Sequence, residues 1–173
     1  MNLILKRIVV GGIIVAAPAI YKGARYVIDN KIRGTVSSPA IGGIVYCNLL
    51  SAAEHSGVYV GNGNIIHLDG NGVIVKTSAQ TFIKRLDGWN PARTIYTLCK
   101  GKEPVGIADA AAYAEGQVGR RVKYSLAKNN CHRFTASCLL GEESPVSYLL
   151  MGAVKSIHDE IIGKSTGRVW NWR

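Results

Sequence analysis

Two short turns built from glycine and asparagine constrain this chain more than any other feature. Gly61-Asn62-Gly63 and Asp69-Gly70-Asn71-Gly72 each stand between short apolar runs, and residues of these types supply the positive φ that tight hairpins need. The runs at 42–47, 56–60, 64–68, 72–76 and 93–98 are rich in Val, Ile and Tyr and read as five strands. The second to fourth then form an antiparallel meander. The Gly61-Asn62-Gly63 stretch is a turn and not a nucleotide loop, because neither a third glycine nor a helix follows it. Further on, Pro104 opens an alanine-rich helix that ends at 116–119, and a second helix runs from Cys131 to Leu140 before Gly141. Strands followed by helices predict an α+β fold: a small antiparallel sheet of about five strands with packed helices.

The ends of the chain have a different character. Residues 8–21 form an uncharged apolar run behind Lys6 and Arg7. Such a run is short against the roughly 20 residues that span a bilayer core. It reads as a signal-anchor, or as a signal peptide with Ala17-Pro18-Ala19 as the cleavage site, or else as a buried helix. Residues 22–40 read as a linker and 41–141 as the folded domain. Residues 142–173 read as an amphipathic helix and tail, the helix starting at Ser144-Pro145. Val146, Leu149, Leu150, Ala153, Val154, Ile157 and Ile161 share one helical face, for packing on the domain or for lying on a membrane surface. Trp170 and Trp172 among arginines suit a bilayer headgroup region, or a disordered terminus. The expectation is a membrane-associated protein, held by its N-terminal hydrophobic segment, on a side of the membrane that the flanking charges leave open.

The charge balance points the same way. Twenty-one Lys and Arg against eleven Asp and Glu give a net charge of +10, which favours an acidic partner. The basic pairs lack the interleaved aromatic residues that stack on single-stranded nucleic acid, so no nucleic acid is expected. An anionic bilayer surface, with membrane phospholipid as the partner, is the reading taken.

Chemistry concentrates around one cysteine. Cys47 and Cys99 lie in apolar strand-like runs and Cys138 on a helix, where a free thiol is usually a small core residue. Cys131 follows Asn130, a good N-cap, and so stands in the first turn of a helix. There the dipole and backbone N–H groups favour the thiolate and could also hold an oxyanion. A thiolate that attacks an acyl carbon needs an imidazole to take its proton and a third group to orient that imidazole. His55 and His67 fall on adjacent strands joined by the Asn62-Gly63 turn, opposite one another. His132 points about 100° away from Cys131 on its helix. His158 sits among Lys155, Asp159 and Glu160 and reads as a solvated residue.

The stretch from Glu54 to Leu68 resembles the H-W-A-x-Y-x-G-x-G-x-V-x-H-L segment of the lecithin:retinol acyltransferase-like family, with the spacing of twelve between the two histidines kept. Val118-Gly119 through Tyr124-Ser125-Leu126 and Asn129-Asn130-Cys131, ending at Phe134, is similar to that family's V-G-x-x-x-Y-x-L-x-x-N-N-C-E-H-F motif. The resemblance runs from about Gly42 to Gly141 and implies a member of bacterial or phage type. It implies a permuted papain-like fold related to the NlpC peptidases, with Cys131 as nucleophile, His55 as general base and His67 as the orienting third member. The same three side chains could hold a zinc ion with water, but the reading taken is covalent catalysis with no metal and no cofactor. Ser56 stands where the family commonly has Trp, and His132-Arg133 where it has Glu-His. The function implied is a cysteine-dependent acyl hydrolase or acyltransferase on glycerophospholipid esters. The alternative is a peptidoglycan endopeptidase or amidase with the same triad, and a third class is a non-catalytic binding protein on this fold.

Overall fold

The computed structural model describes residues 34–48, 54–84 and 94–173. The sheet follows the turn chemistry. Strands β2 (Ile44–Asn48), β3 (Glu54–Gly61), β4 (Asn64–Leu68) and β5 (Ile74–Ser78) pair antiparallel in chain order. Asn62 (φ 52°) and Gly63 (φ 74°) make the β3–β4 hairpin, with both central residues in the left-handed region. Between β4 and β5 the Asp69 carboxylate accepts from the backbone N–H of Asn71 and Val73, which closes the second turn locally.

The sheet is larger than five strands. It also contains β1 (Thr35–Val36), β6 (Ile95–Lys100), β7 (Glu103–Pro104) and β8 (Thr166–Trp170), in the order β1-β8-β6-β2-β3-β4-β5 with β7 paired to β6. The β1–β8 pair is parallel. Both of its strands lie outside the span 41–141, so residues from either side of that span complete the sheet. The tail expected as an interfacial or disordered terminus is therefore an internal strand, with Trp170 buried and its indole N–H donating to the Ser37 carbonyl.

Both faces of the sheet are covered, which explains strands that are apolar almost throughout. One face, with Ile44, Tyr46, Val58, Ile66, Tyr96 and Leu98, packs against helices α2 (Ala108–Gly116), α3 (Cys131–Leu140) and α4 (Met151–Ile162). The opposite face, with Val45, Cys47, Tyr59, Ile65 and Ile95, packs against the short helix α1 (Ala79–Ile83) and Trp170. Pro104 opens no helix: it sits in β7, and α2 starts at Ala108.

Helix α4 starts at Met151, not at Ser144-Pro145. Ser144 is buried and engaged elsewhere: its N–H donates to Ser137 Oγ, its carbonyl accepts from Arg133 Nε, and its hydroxyl turns back on Val146. The α4 N-cap position, Leu150, offers no side-chain bond. The Glu54 carboxylate reaches over from β3 and accepts from Met151 N–H at 3.0 Å, which places a negative charge where the helix dipole favours it. Met151, Val154, Ile157 and His158 face the domain. At about 1.5–3 kcal/mol for each fully buried large apolar side chain, that packing outweighs the missing local cap, which is worth about 1 kcal/mol. Leu149 and Leu150 of the expected apolar stripe stay exposed ahead of the helix.

The expectation of membrane association through a spanning segment is corrected. Among the described residues no helix is long and apolar enough to cross a membrane. The longest of them, α4, has 12 residues, about 18 Å of helix against a hydrocarbon core of about 30 Å. The N-terminal run at 8–21, on which that expectation rested, lies outside the described residues.

Candidate active site

Asn130 builds the start of α3. Its side-chain oxygen accepts from Arg133 N–H at 2.9 Å, and its amide donates to the carbonyls of Leu126 (2.7 Å) and Tyr148 (2.8 Å). Every polar atom of this side chain is used, so the turn before Cys131 is fixed from two directions. Cys131 is the first residue of the helix, as its sequence setting predicts, and its Sγ lies 4.0 Å from the carbonyl oxygen of Glu54. The structure thus brings the nucleophile candidate to the backbone immediately before His55.

The two histidines meet, but not as an opposed pair. The β3–β4 register pairs Val58 with Ile66 and Tyr59 with Ile65, so Gly57 faces His67 and His55 lies on the diagonal. Gly57 makes the diagonal contact possible. A Cβ there would stand 2.8 Å from the Ile66 carbonyl oxygen and 3.0 Å from the His67 Cβ. With that space open, His55 Nε2 and His67 Nδ1 come within 3.0 Å, and His67 Nε2 reaches Thr77 Oγ1 on β5 at 3.1 Å. Phe82 of α1 closes the site from below, stacked on His55 (centroids 4.7 Å, planes 27° apart) and edge-on to His67 at 5.1 Å.

The row His55–His67–Thr77 runs in one direction if His55 is to act as a base. Its Nε2 is engaged by His67, so a proton can be accepted only at Nδ1, and Nε2 must carry the hydrogen that donates to His67 Nδ1. His67 Nε2–H then donates to Thr77 Oγ1. This direction is the same before and after His55 gains a proton, so the row fixes the tautomer of the base without losing a hydrogen bond. Because His55 Nε2 and His67 Nδ1 bond each other, those two nitrogens do not aim at a shared ion. Among the described residues no group of three or more His, Cys, Asp and Glu side chains is arranged to hold a metal.

Thr77 and Phe82 are the site residues that sequence reading missed. Thr77 looks like any strand hydroxyl. Phe82 belongs to a five-residue helix whose only signal is Ser78 as N-cap, accepting from Thr81 N–H.

The remaining thiols are set apart by burial or by position. Burial pushes the Cys99 thiol up to about 11 and the Cys138 thiol up as well. Cys47 is directly across the ladder from His55, but it belongs to a strand and has no helix terminus to favour its thiolate.

His158, expected to be solvated, is inside, and His132 is inside as well. His158 is fully buried, its Nδ1 within 3.3 Å of Ser165 Oγ, and burial pushes its pKa down. His132 is 3% exposed and bonds Ser56 Oγ through Nδ1 at 2.8 Å; burial pushes its pKa down to about 4. As pH falls from the ordinary imidazole value of 6.5, the unfolded chain takes up this proton before the folded one. The contribution of His132 to stability is complete above about pH 6.5 and is lost between there and about pH 4, at most on the order of 3 kcal/mol. His132→Asn keeps a donor and removes the titration. The unfolding free energy of that variant should fall less steeply than that of the wild type between pH 6.5 and 4 in urea titrations; equal slopes would rule out a buried neutral His132.

The two departures from the family motifs meet in this region. Ser56 and His132 bond each other beneath α3, out of reach of any substrate surface. Arg133 holds the flanking loops through Glu143 (3.1 Å), the Ser144 carbonyl and Asn129. Residues 37–144 match the family model described as Lecithin retinol acyltransferase. No curated protein matches the chain.

Proposed function

The chain belongs to the lecithin retinol acyltransferase family, a family of acyl-transferring enzymes, and from that premise we propose that it cleaves glycerophospholipid esters through an acyl-thioester on Cys131. The observation that carries this reading is the approach of a helix-start cysteine to the backbone beside His55, which is itself hydrogen-bonded to His67. His55 takes the thiol proton, and the Cys131 thiolate attacks the ester carbonyl carbon. The N-terminus of α3 favours the oxyanion that forms. When the tetrahedral intermediate collapses, the C–O bond breaks, His55 returns its proton to the leaving lysophospholipid oxygen, and the acyl group stays on sulfur. Water or an amine, deprotonated by His55, then attacks the thioester and regenerates the thiol. His67 orients His55 throughout, and no metal or cofactor enters any step. The net charge of +10 favours a substrate presented at an anionic lipid surface.

The test is to incubate the full chain with vesicles containing anionic phospholipid, and separately with peptidoglycan fragments. Mass spectrometry reads lysophospholipid, fatty acid and N-acyl product, and also the mass of the protein. Lysophospholipid release with an acyl increment on Cys131, both absent in Cys131→Ala, is expected. In the same preparation iodoacetamide should modify Cys131 ahead of Cys47, Cys99 and Cys138 near neutral pH. Cleavage of the peptidoglycan fragments with no action on lipid would replace this reading with the peptidase one.

A further inference from the structure

Ser56, His132 and Thr135 form a buried row of hydrogen bonds between β3 and α3. Ser56 Oγ lies 2.8 Å from His132 Nδ1 and 2.9 Å from Thr135 Oγ1, and Thr135 Oγ1 donates to the Cys131 carbonyl oxygen at 2.9 Å. Ser56 and Thr135 are fully buried and His132 nearly so. The last bond sets the direction of the rest. Because the single Thr135 proton goes to the Cys131 carbonyl, Ser56 must donate to Thr135. The one Ser56 proton is then spent, so His132 must donate from Nδ1. The row reads His132 N–H to Ser56, Ser56 O–H to Thr135, and Thr135 O–H to the carbonyl of Cys131. It requires a proton on Nδ1 of His132, and burial, which favours the neutral form, leaves Nδ1–H as the tautomer that the row selects.

Buried polar groups need partners in any fold, and an apolar side chain at each of these positions would have avoided the need. What singles out this row is where it begins and ends. Ser56 follows His55 on β3, His132 follows Cys131 on α3, and the final acceptor is the Cys131 carbonyl itself. We propose that His132, Ser56 and Thr135 are positioning residues: their directed hydrogen-bond row holds the backbone of Cys131 against the strand that carries His55. The proposal rests on the roles of Cys131 and His55 given above. The same residues that depart from the family motif, Ser56 and His132, supply this contact for each other.

Three changes break the row and two keep it. Thr135→Val keeps the shape and removes the terminal donor. His132→Leu removes the first donor, and Ser56→Ala removes the middle oxygen alone. Thr135→Ser and His132→Asn retain donors at the same places. For each full-length variant, the rate at which iodoacetamide alkylates Cys131 is measured from pH 5 to 9, together with the thermal midpoint. The three disrupting variants should alkylate about tenfold or more slowly near pH 7, as expected when reacting groups lose alignment, with the rate profile displaced to higher pH. The two conservative variants should restore rate and profile. A lowered thermal midpoint with a wild-type alkylation profile would reduce the row to ordinary core structure and overturn the proposal. If His132→Leu does not fold, Ser56→Ala and Thr135→Val decide the matter. The wild type separates the two levels of argument: a Cys131 no more reactive than Cys99 or Cys138 would refute the assigned roles of Cys131 and His55, and the positioning proposal with them.

Discussion

Replacing His55 with alanine should lower kcat for phospholipid cleavage by about 10²–10⁴-fold, the usual range for loss of a general acid–base group. The thiol proton then has no acceptor, and the leaving oxygen has no donor. A graded series should follow along the row. His67→Ala should cost less than His55→Ala, since it removes an orienting group and leaves the base. His67→Asn should cost less again, because its side-chain oxygen can accept from His55 Nε2–H. Thr77→Val should be mildest, as it frees only the far end. Steady-state kinetics on vesicles, with thermal unfolding as the control for folding, would check the order. A His55→Ala enzyme within tenfold of wild type, or a Thr77→Val enzyme more damaged than His67→Ala, would break the proposed sequence of roles.

The parts of this arrangement that sequence reading reached are those fixed by local chemistry. Asn62-Gly63 forces a tight hairpin wherever it stands between strands, and Asn130 before Cys131 caps a helix by its own side chain. The α+β class followed from such signals. The parts that escaped depend on contacts distant in sequence. Residues 166–170 carry little strand signal of their own; they become β8 because β6 offers an open edge and Trp170 a buried place. The start of α4 is set by Glu54, some 97 residues away, which no local capping rule could find. His158 looked like a solvated helix residue because Lys155, Asp159 and Glu160 surround it in sequence. Its burial follows from which helix face meets the sheet, and that depends on packing. The diagonal meeting of His55 and His67 was concealed by Gly57, whose part is to leave space empty.

Phe82→Ala should be the most damaging single change beneath the site. Phe82 is fully buried, and truncating such a ring costs about 3–5 kcal/mol from lost burial and the cavity left behind. Against a total stability of about 5–15 kcal/mol for a domain, this is a large share, and the urea midpoint should fall accordingly. The ring also acts on chemistry. Its face lies 4.7 Å from the His55 centroid, within the roughly 6 Å at which an aromatic face attracts a cation. The ring therefore offsets part of the cost that burial places on a charged His55 beside a thiolate. Phe82→Leu separates the two effects, since it keeps most of the apolar volume but has no aromatic face. That variant should lose less stability than Phe82→Ala. Its Cys131 alkylation profile should still shift toward higher pH, because the thiolate loses part of its cationic partner. An unchanged profile in Phe82→Leu, with the stability loss confined to Phe82→Ala, would leave Phe82 as a packing residue without electrostatic influence on the base. An unfolding midpoint for Phe82→Ala equal to that of wild type would instead show that α1 does not support the histidine pair.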